Sequence, residues 1–220
     1  MSAQRPSLLT PDANPLELLC RHFNVSKPVL PPHTTDLPPT ITLSPLTRTS
    51  LPTHVLAVSP STPASNAPIP APILVPIDAT LYSANLRVDF PAQASEIPTL
   101  ETSSTATLAL PLLPIAVPHP PTLALLLLFA LGLEPVPPYH LLPMVAVEEF
   151  PNQAAMAQVL ARTPGLTELV RRNEGLWKNV LALGVRKQSV VDTVGMVWGV
   201  TAEARRLRLK AASSAAPSGR

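Results

Sequence analysis

The chain has 220 residues, 46% of them hydrophobic and 14% charged, which excludes a wholly disordered polymer and leaves room for one core with tails, not two large domains. Its formal net charge of +2 averages two unlike parts: residues 1–150 carry 5 Lys+Arg against 10 Asp+Glu, and residues 151–220 carry 11 against 4. Nucleic-acid binding by the whole surface is therefore not implied.

Of 30 prolines only Pro151, Pro164 and Pro217 follow residue 150, so the two parts must be built differently. Cys20 is the only cysteine, which rules out an intrachain disulfide, and no secretory leader pattern precedes Pro15. An intracellular protein, in the nucleus, the cytoplasm or both, is expected.

Residues 1–27 read as an N-terminal segment with one short helix, LELLCRHF, capped by Asn14 with Pro15 at its first position. Two Pro-bounded pieces, TITL (Thr40–Leu43) and HVLAV (His54–Val58), read as strands whose prolines sit at edges or ends. Ser59–Pro72 is too rich in proline and small polar residues for helix or central strand and reads as a mobile loop. Ile73–Val75 is a third strand, Asp78 caps a short helix over Ala79–Leu86, and residues 92–104 form a second loose connection.

From Thr105 the pattern alternates as a strand and then, after Pro120–Pro121, turns into the all-apolar run of residues 122–133. As a helix that run would span about 18 Å, well short of a roughly 30 Å bilayer core, so it reads as buried and not as a membrane span. Beyond residue 144 the chain is helical: Asn152 caps QAAMAQVLAR, Pro164–Gly165 breaks it, LTELVRR forms a short helix, and another covers about 174–185. The last helix starts at a Ser189/Asp192 cap and places Val190, Val191, Val194, Val197, Trp198 and Thr201 on one face. Core contact is expected to end near Thr201, leaving a basic stub, with residues 211–220 a disordered tail.

No enzyme constellation is present. Cys20 and His22 are two apart and diverge on a helix, the five histidines form no metal-ligand spacing, and Glu148–Glu149 read as a solvated helix end. No phosphate-cradling or nucleophile-elbow motif occurs. Catalytic, cofactor-binding and metal residues are accordingly expected to be none. Trp177 and Trp198 are candidate core residues, with interface anchoring as the alternative. Arg205, Arg206, Arg208 and Lys210 read either as a solvated helix end or as a contact for a partner or for nuclear import.

Four segments, THVLAVSPSTP (Thr53–Pro63), APILVPIDATLYSANL (Ala71–Leu86), LALPLLPIAVPHPPTLALLLLFAL (Leu108–Leu131) and EGLWKNVLALGV (Glu174–Val185), resemble the clampless protein family of basidiomycete fungi. The resemblance runs across most of residues 28–205. It implies a nuclear or partly nuclear regulator of sexual development and clamp-cell formation, downstream of mating-type homeodomain factors and working through protein partners. Asp78 stands where the family pattern has a histidine, and LLFALGLE (Leu127–Glu134) lacks an aromatic-rich end, which mark a divergent paralogue. A fainter likeness in element order is to BTB/POZ domains, which are dimerisation and docking modules.

The fold class that follows is α+β: a small Pro-bounded sheet, an apolar helix against it and a helical C-terminal region, BTB/POZ-like in order, forming a single domain over 28–210. The function that follows is non-enzymatic regulation by protein contact, transcription factors and a second copy of the chain being among the partners to consider. A nucleic-acid- or chromatin-associated factor using the basic end is the alternative, and no membrane partner is expected.

Overall fold

The computed structural model describes residues 9–10, 13–30, 37–47, 50–62, 70–88, 99–101, 107–136 and 138–215. Pro-bounded apolar runs pair into one mixed sheet: β1 (Thr40–Leu43), β2 (His54–Pro60), β3 (Ile73–Ile77), β4 (Thr99–Glu101) and β5 (Thr107–Val117). The order is β1-β5-β2-β3, with β4 pairing β5 beside β2. All pairs are antiparallel except β2 with β5, where Val55 meets Leu112 and Pro60 meets Val117. β4 corrects the reading of residues 92–104 as wholly loose; 92–98 and 102–104 lie outside the described residues, as do 63–69 of the expected loop at 59–72. Ser59 and Pro60 belong to β2.

β5 is central yet contains Pro111 and Pro114, which a ladder tolerates only where no N–H is needed. Backbone groups of successive strand residues point to opposite sides. Leu112 N–H donates to Pro39 (2.9 Å) on the β1 side, and Val117 C=O accepts from Ser61 (2.8 Å) on the β2 side. Pro114 therefore faces the β1 side beyond the last β1 pair at Pro111, and Pro111 faces the gap between the β4 pairs and the first β2 pair at Leu112. Neither proline removes a ladder bond.

α1 (Pro15–His22) begins at Asn14, whose side chain accepts from Leu16 N–H at 3.0 Å. Its Leu18, Leu19 and Cys20 are buried in the same core as the sheet, so this helix is part of the domain body. Burial raises the Cys20 thiol to about 11, an inert, protonated group. α2 (Ala79–Asn85) starts at Asp78, whose carboxylate accepts from Leu81 N–H at 2.8 Å.

α3 (Leu123–Ala130) has every residue buried, the behaviour of a helix with no polar face. It is shorter than the 122–133 run because Gly132, at φ +73°, turns the chain out. Among the described residues no helix is long and apolar enough to cross a membrane. Glu134, just past α3, meets His22 of α1 at 3.0 Å with both side chains nearly sealed from solvent, a polar clasp between α1 and the end of α3.

α4 (Met144–Val147), α5 (Gln153–Arg162), α6 (Leu166–Leu183) and α7 (Gln188–Ala215) complete the chain. Three expectations are corrected here. LTELVRR and 174–185 are one helix, α6, since nothing after Gly165 breaks the ladder before Gly184, at φ +61°, ends it. α7 starts before Ser189: the Lys187 carbonyl already accepts from Val190 and Val191, and Asp192 accepts from the Gln188 side chain at 2.7 Å instead of capping. Residues 211–215 continue α7, so the tail expected at 211–220 begins in helix, and 216–220 lie outside the described residues.

Candidate interaction surface

α6 fastens to the sheet at one corner. Beside the turn that follows β5, Asn179 of α6, wholly buried, accepts from His119 N–H (3.0 Å) and donates to the His119 carbonyl (2.8 Å) and the Thr122 hydroxyl (3.1 Å). Gly175 lets the corner approach this closely, because a Cβ there would lie 2.3 Å from His119 Cγ. Burial, assisted by Arg171, holds the His119 imidazole below its ordinary value. On the next turn Arg172 donates to the His140 carbonyl at 2.9 Å, and burial lowers its guanidinium.

α7 packs along α5 and α6 through the expected stripe: Val190, Val194, Val197 and Thr201 are fully buried, and the Thr201 hydroxyl donates back to the Val197 and Trp198 carbonyls at 3.0 Å each. Contact does not stop at Thr201, because Ala204 is fully buried and Leu207 packs on the core. Trp198 and Trp177 are half-buried at the margin of this layer. A Cβ on Gly195 of α7 would touch Trp177 at 3.4 Å, so that ring helps pack α6 on α7.

The four basic residues expected to act together are divided by the fold. Arg208 donates to the carbonyls of Ala161 (2.8 Å), Leu160 (3.5 Å) and Thr163, which close α5. The Leu160 carbonyl also accepts from Thr163 N–H (3.0 Å), and all three sit at the negative pole of α5, so Arg208 serves as a C-cap supplied by another helix. This corrects the expectation that Arg208 faces solvent freely. Arg206 forms a two-point pair with Glu203, at 2.7 and 2.6 Å, and that pairing lowers the Glu203 carboxyl. Arg205 and Lys210 are exposed and have no carboxylate partner among the described residues.

Between α6 and α7 runs a groove of about 430 Å³ that sequence reasoning missed. Its floor includes buried Leu166 and Val170, and its rim carries Arg205, Arg208 and Leu209, the last 61% exposed. Arg171 and Glu174 also line it, but each is satisfied on its own helix, by Glu168 (2.7 Å) and Lys178 (2.7 Å). An apolar floor with the exposed Arg205 guanidinium above it suits an apolar, acidic protein segment. The RRLRLK spacing was the only signal for it in the chain, since Leu209 falls on the same face as Arg205 only once α7 extends that far.

A second surface was also missed. Met144 (61% exposed), Val145 (46%) and Phe150 (55%) stand out from the surface around α4, together with exposed Glu148 and Glu149. Among the described residues no group of three or more His, Cys, Asp or Glu is placed to hold a metal ion.

No curated protein and no solved structure matches the chain, so the BTB/POZ likeness remains one of element order. The family description "Clampless protein 1 C-terminal domain" matches residues 106–219, from the start of β5 through α7. That span covers more than half of the chain and includes the corner, the groove and the α4 surface. The chain belongs to the clampless protein family, which ties it to fungal clamp formation.

Proposed function

We propose that this chain is a non-enzymatic regulator of fungal mating and clamp-cell formation that acts in the nucleus or cytoplasm by binding another protein through the α6/α7 groove. The observation that carries this reading is the pairing of an apolar floor, Leu166 and Val170, with Arg205, Arg208 and Leu209 at the rim. Arg205 meets no carboxylate among the described residues and Leu209 is largely in water, a combination that folding alone does not require.

The alternative, nucleic-acid binding by the basic end, has less support. It needs a row of free cations, whereas Arg206 is held by Glu203 and Arg208 by the end of α5.

The test is complementation of a strain lacking the gene with Arg205→Glu/Leu209→Ser, both exposed positions, alongside a melting curve of the purified chain. The reading expects clamp cells to be lost while the melting curve is kept. Full complementation by the double variant would show that the groove is not the working surface, and a steep loss of partner binding between about 50 and 200 mM salt would favour the nucleic-acid reading.

A further inference from the structure

The groove and the α4 surface are complementary in both charge and polarity. On one side Arg205, exposed and without a carboxylate partner among the described residues, stands over an apolar floor, with Arg208 beside it held by the end of α5. On the other, Glu148 and Glu149 flank the exposed Met144, Val145 and Phe150 and have no cationic partner among the described residues. The exposed Arg205 over apolar side chains thus matches two anions beside apolar side chains.

We propose that the α6/α7 groove takes the Met144–Phe150 segment of a second copy of this chain. This rests on the reading of the groove as a protein-binding site and names its occupant. The chain cannot fill its own groove with that segment: Ala146 is fully buried within it, Leu141 and Leu142 are buried just before it, and none of the groove's lining residues comes from it. α4 is further held by the Ala146 and Val147 amides on the Pro143 carbonyl.

The groove of about 430 Å³ falls within the roughly 300–1,000 Å³ of pockets that enclose an organic ligand, so an inserted Phe150 ring with a neighbouring side chain has room. Phe150 is the anchor in this arrangement, because a large aromatic that loses its water contributes most at an interface. The attraction between Arg205 and the two glutamates sets orientation and speed of encounter more than affinity.

Because the two surfaces differ, the contact is heterologous: each copy offers one groove and one apolar segment, and association continues copy by copy or closes into a ring. A two-fold dimer through a single self-matching patch is a different arrangement and gives a different experimental result.

Sedimentation of the full chain over a range of concentrations tests this, with two variants checked for wild-type melting. Arg205→Glu/Leu209→Ser disables the groove, and Glu149→Arg/Phe150→Ser disables the segment. Wild type is expected to gain mass with concentration beyond the dimer, and each variant alone to associate about tenfold more weakly or worse. Mixed together, the two variants retain one intact groove and one intact segment between them, and assembly should stop at a 1:1 dimer. If a variant melts early, the synthetic peptide PMVAVEEFP serves instead and should dissociate the wild-type assembly.

A wild-type chain that stays monomeric at about 100 μM overturns the proposal, as does association that both variants retain or a mixture that fails to form the dimer. Monomeric wild type with clamp formation still dependent on Arg205 removes the second copy as occupant and leaves the functional reading standing. Self-association through the groove with clamp formation indifferent to it has the opposite meaning.

Discussion

Gly175→Ala isolates the contact that seats α6 on the sheet. On helix propensity alone the change should stabilise, since alanine in a helix interior is favoured over glycine by about 0.5–1 kcal/mol. The structure predicts the reverse. The new Cβ would lie 2.3 Å from His119 Cγ, 2.5 Å from Nδ1 and 2.8 Å from Cβ, all below any distance that carbon atoms accept. These atoms are the root of the imidazole and not its tip, so rotating the ring cannot clear the clash. The corner cannot easily retreat either, because the buried Asn179 amide holds the His119 backbone on both sides. Overpacking costs about 1–3 kcal/mol, contacts this short belong in the upper part of that range at about 2–3, and after the propensity gain a net loss of about 1–2 kcal/mol remains. For a chain of this size that lowers Tm by about 2–8 °C, measurable by circular dichroism or calorimetry. His119→Ala in the same chain should relieve the clash only in part, since its own Cβ stays within 2.8 Å, and a glycine at 119 should relieve it further. Gly175→Ala at or above wild-type stability would refute the argument and show that the corner is loosely seated.

Arg208→Ala should destabilise by about 2–4 kcal/mol in denaturant unfolding, because it uncaps α5, whereas Arg206→Gln and Lys210→Gln should leave the curve in place; equal behaviour of all three would mean that Arg208 is no cap. Trp198→Ala should lose only about 2 kcal/mol, roughly half the 3–5 expected for a fully buried ring, because Trp198 is half-buried; a loss beyond about 4 would place it in the core. Stability should fall as pH drops from 7.5 to 5.5. Burial holds His119 below its ordinary 6.5, aided by Arg171 and Lys178 and opposed by Glu168 and Glu174, and burial and Arg172 act likewise on His140 against Glu134. The unfolded chain therefore binds protons first, so this contribution is complete above about 6.5 and declines below it, and a Tm that is flat or rises on acidification would contradict it.

Local chemistry was enough to place most elements from the sequence. Asn14, Asp78 and Asn152 cap helices with their own side chains, Pro-bounded apolar runs make strands, and the valines of α7 repeat at helical spacing, all decided within a few residues. The apolar run of α3 could only be a buried helix, because it offers water no face. The same locality explains what the sequence could not reveal. β4 is three residues whose strand state comes from pairing with β5, and Pro111 and Pro114 are admissible in a central strand only because of where β1, β2 and β4 end against it. Gly175 reads as a weak point of a helix until His119 is seen against it. The basic end is the clearest case: three arginines close together in sequence have three different environments, since a guanidinium takes whichever partner the fold brings near. For Arg206 that partner is three residues away on its own helix, for Arg208 it is the end of α5 more than forty residues earlier, and for Arg205 it is the rim of a groove that exists only when α6 and α7 lie side by side.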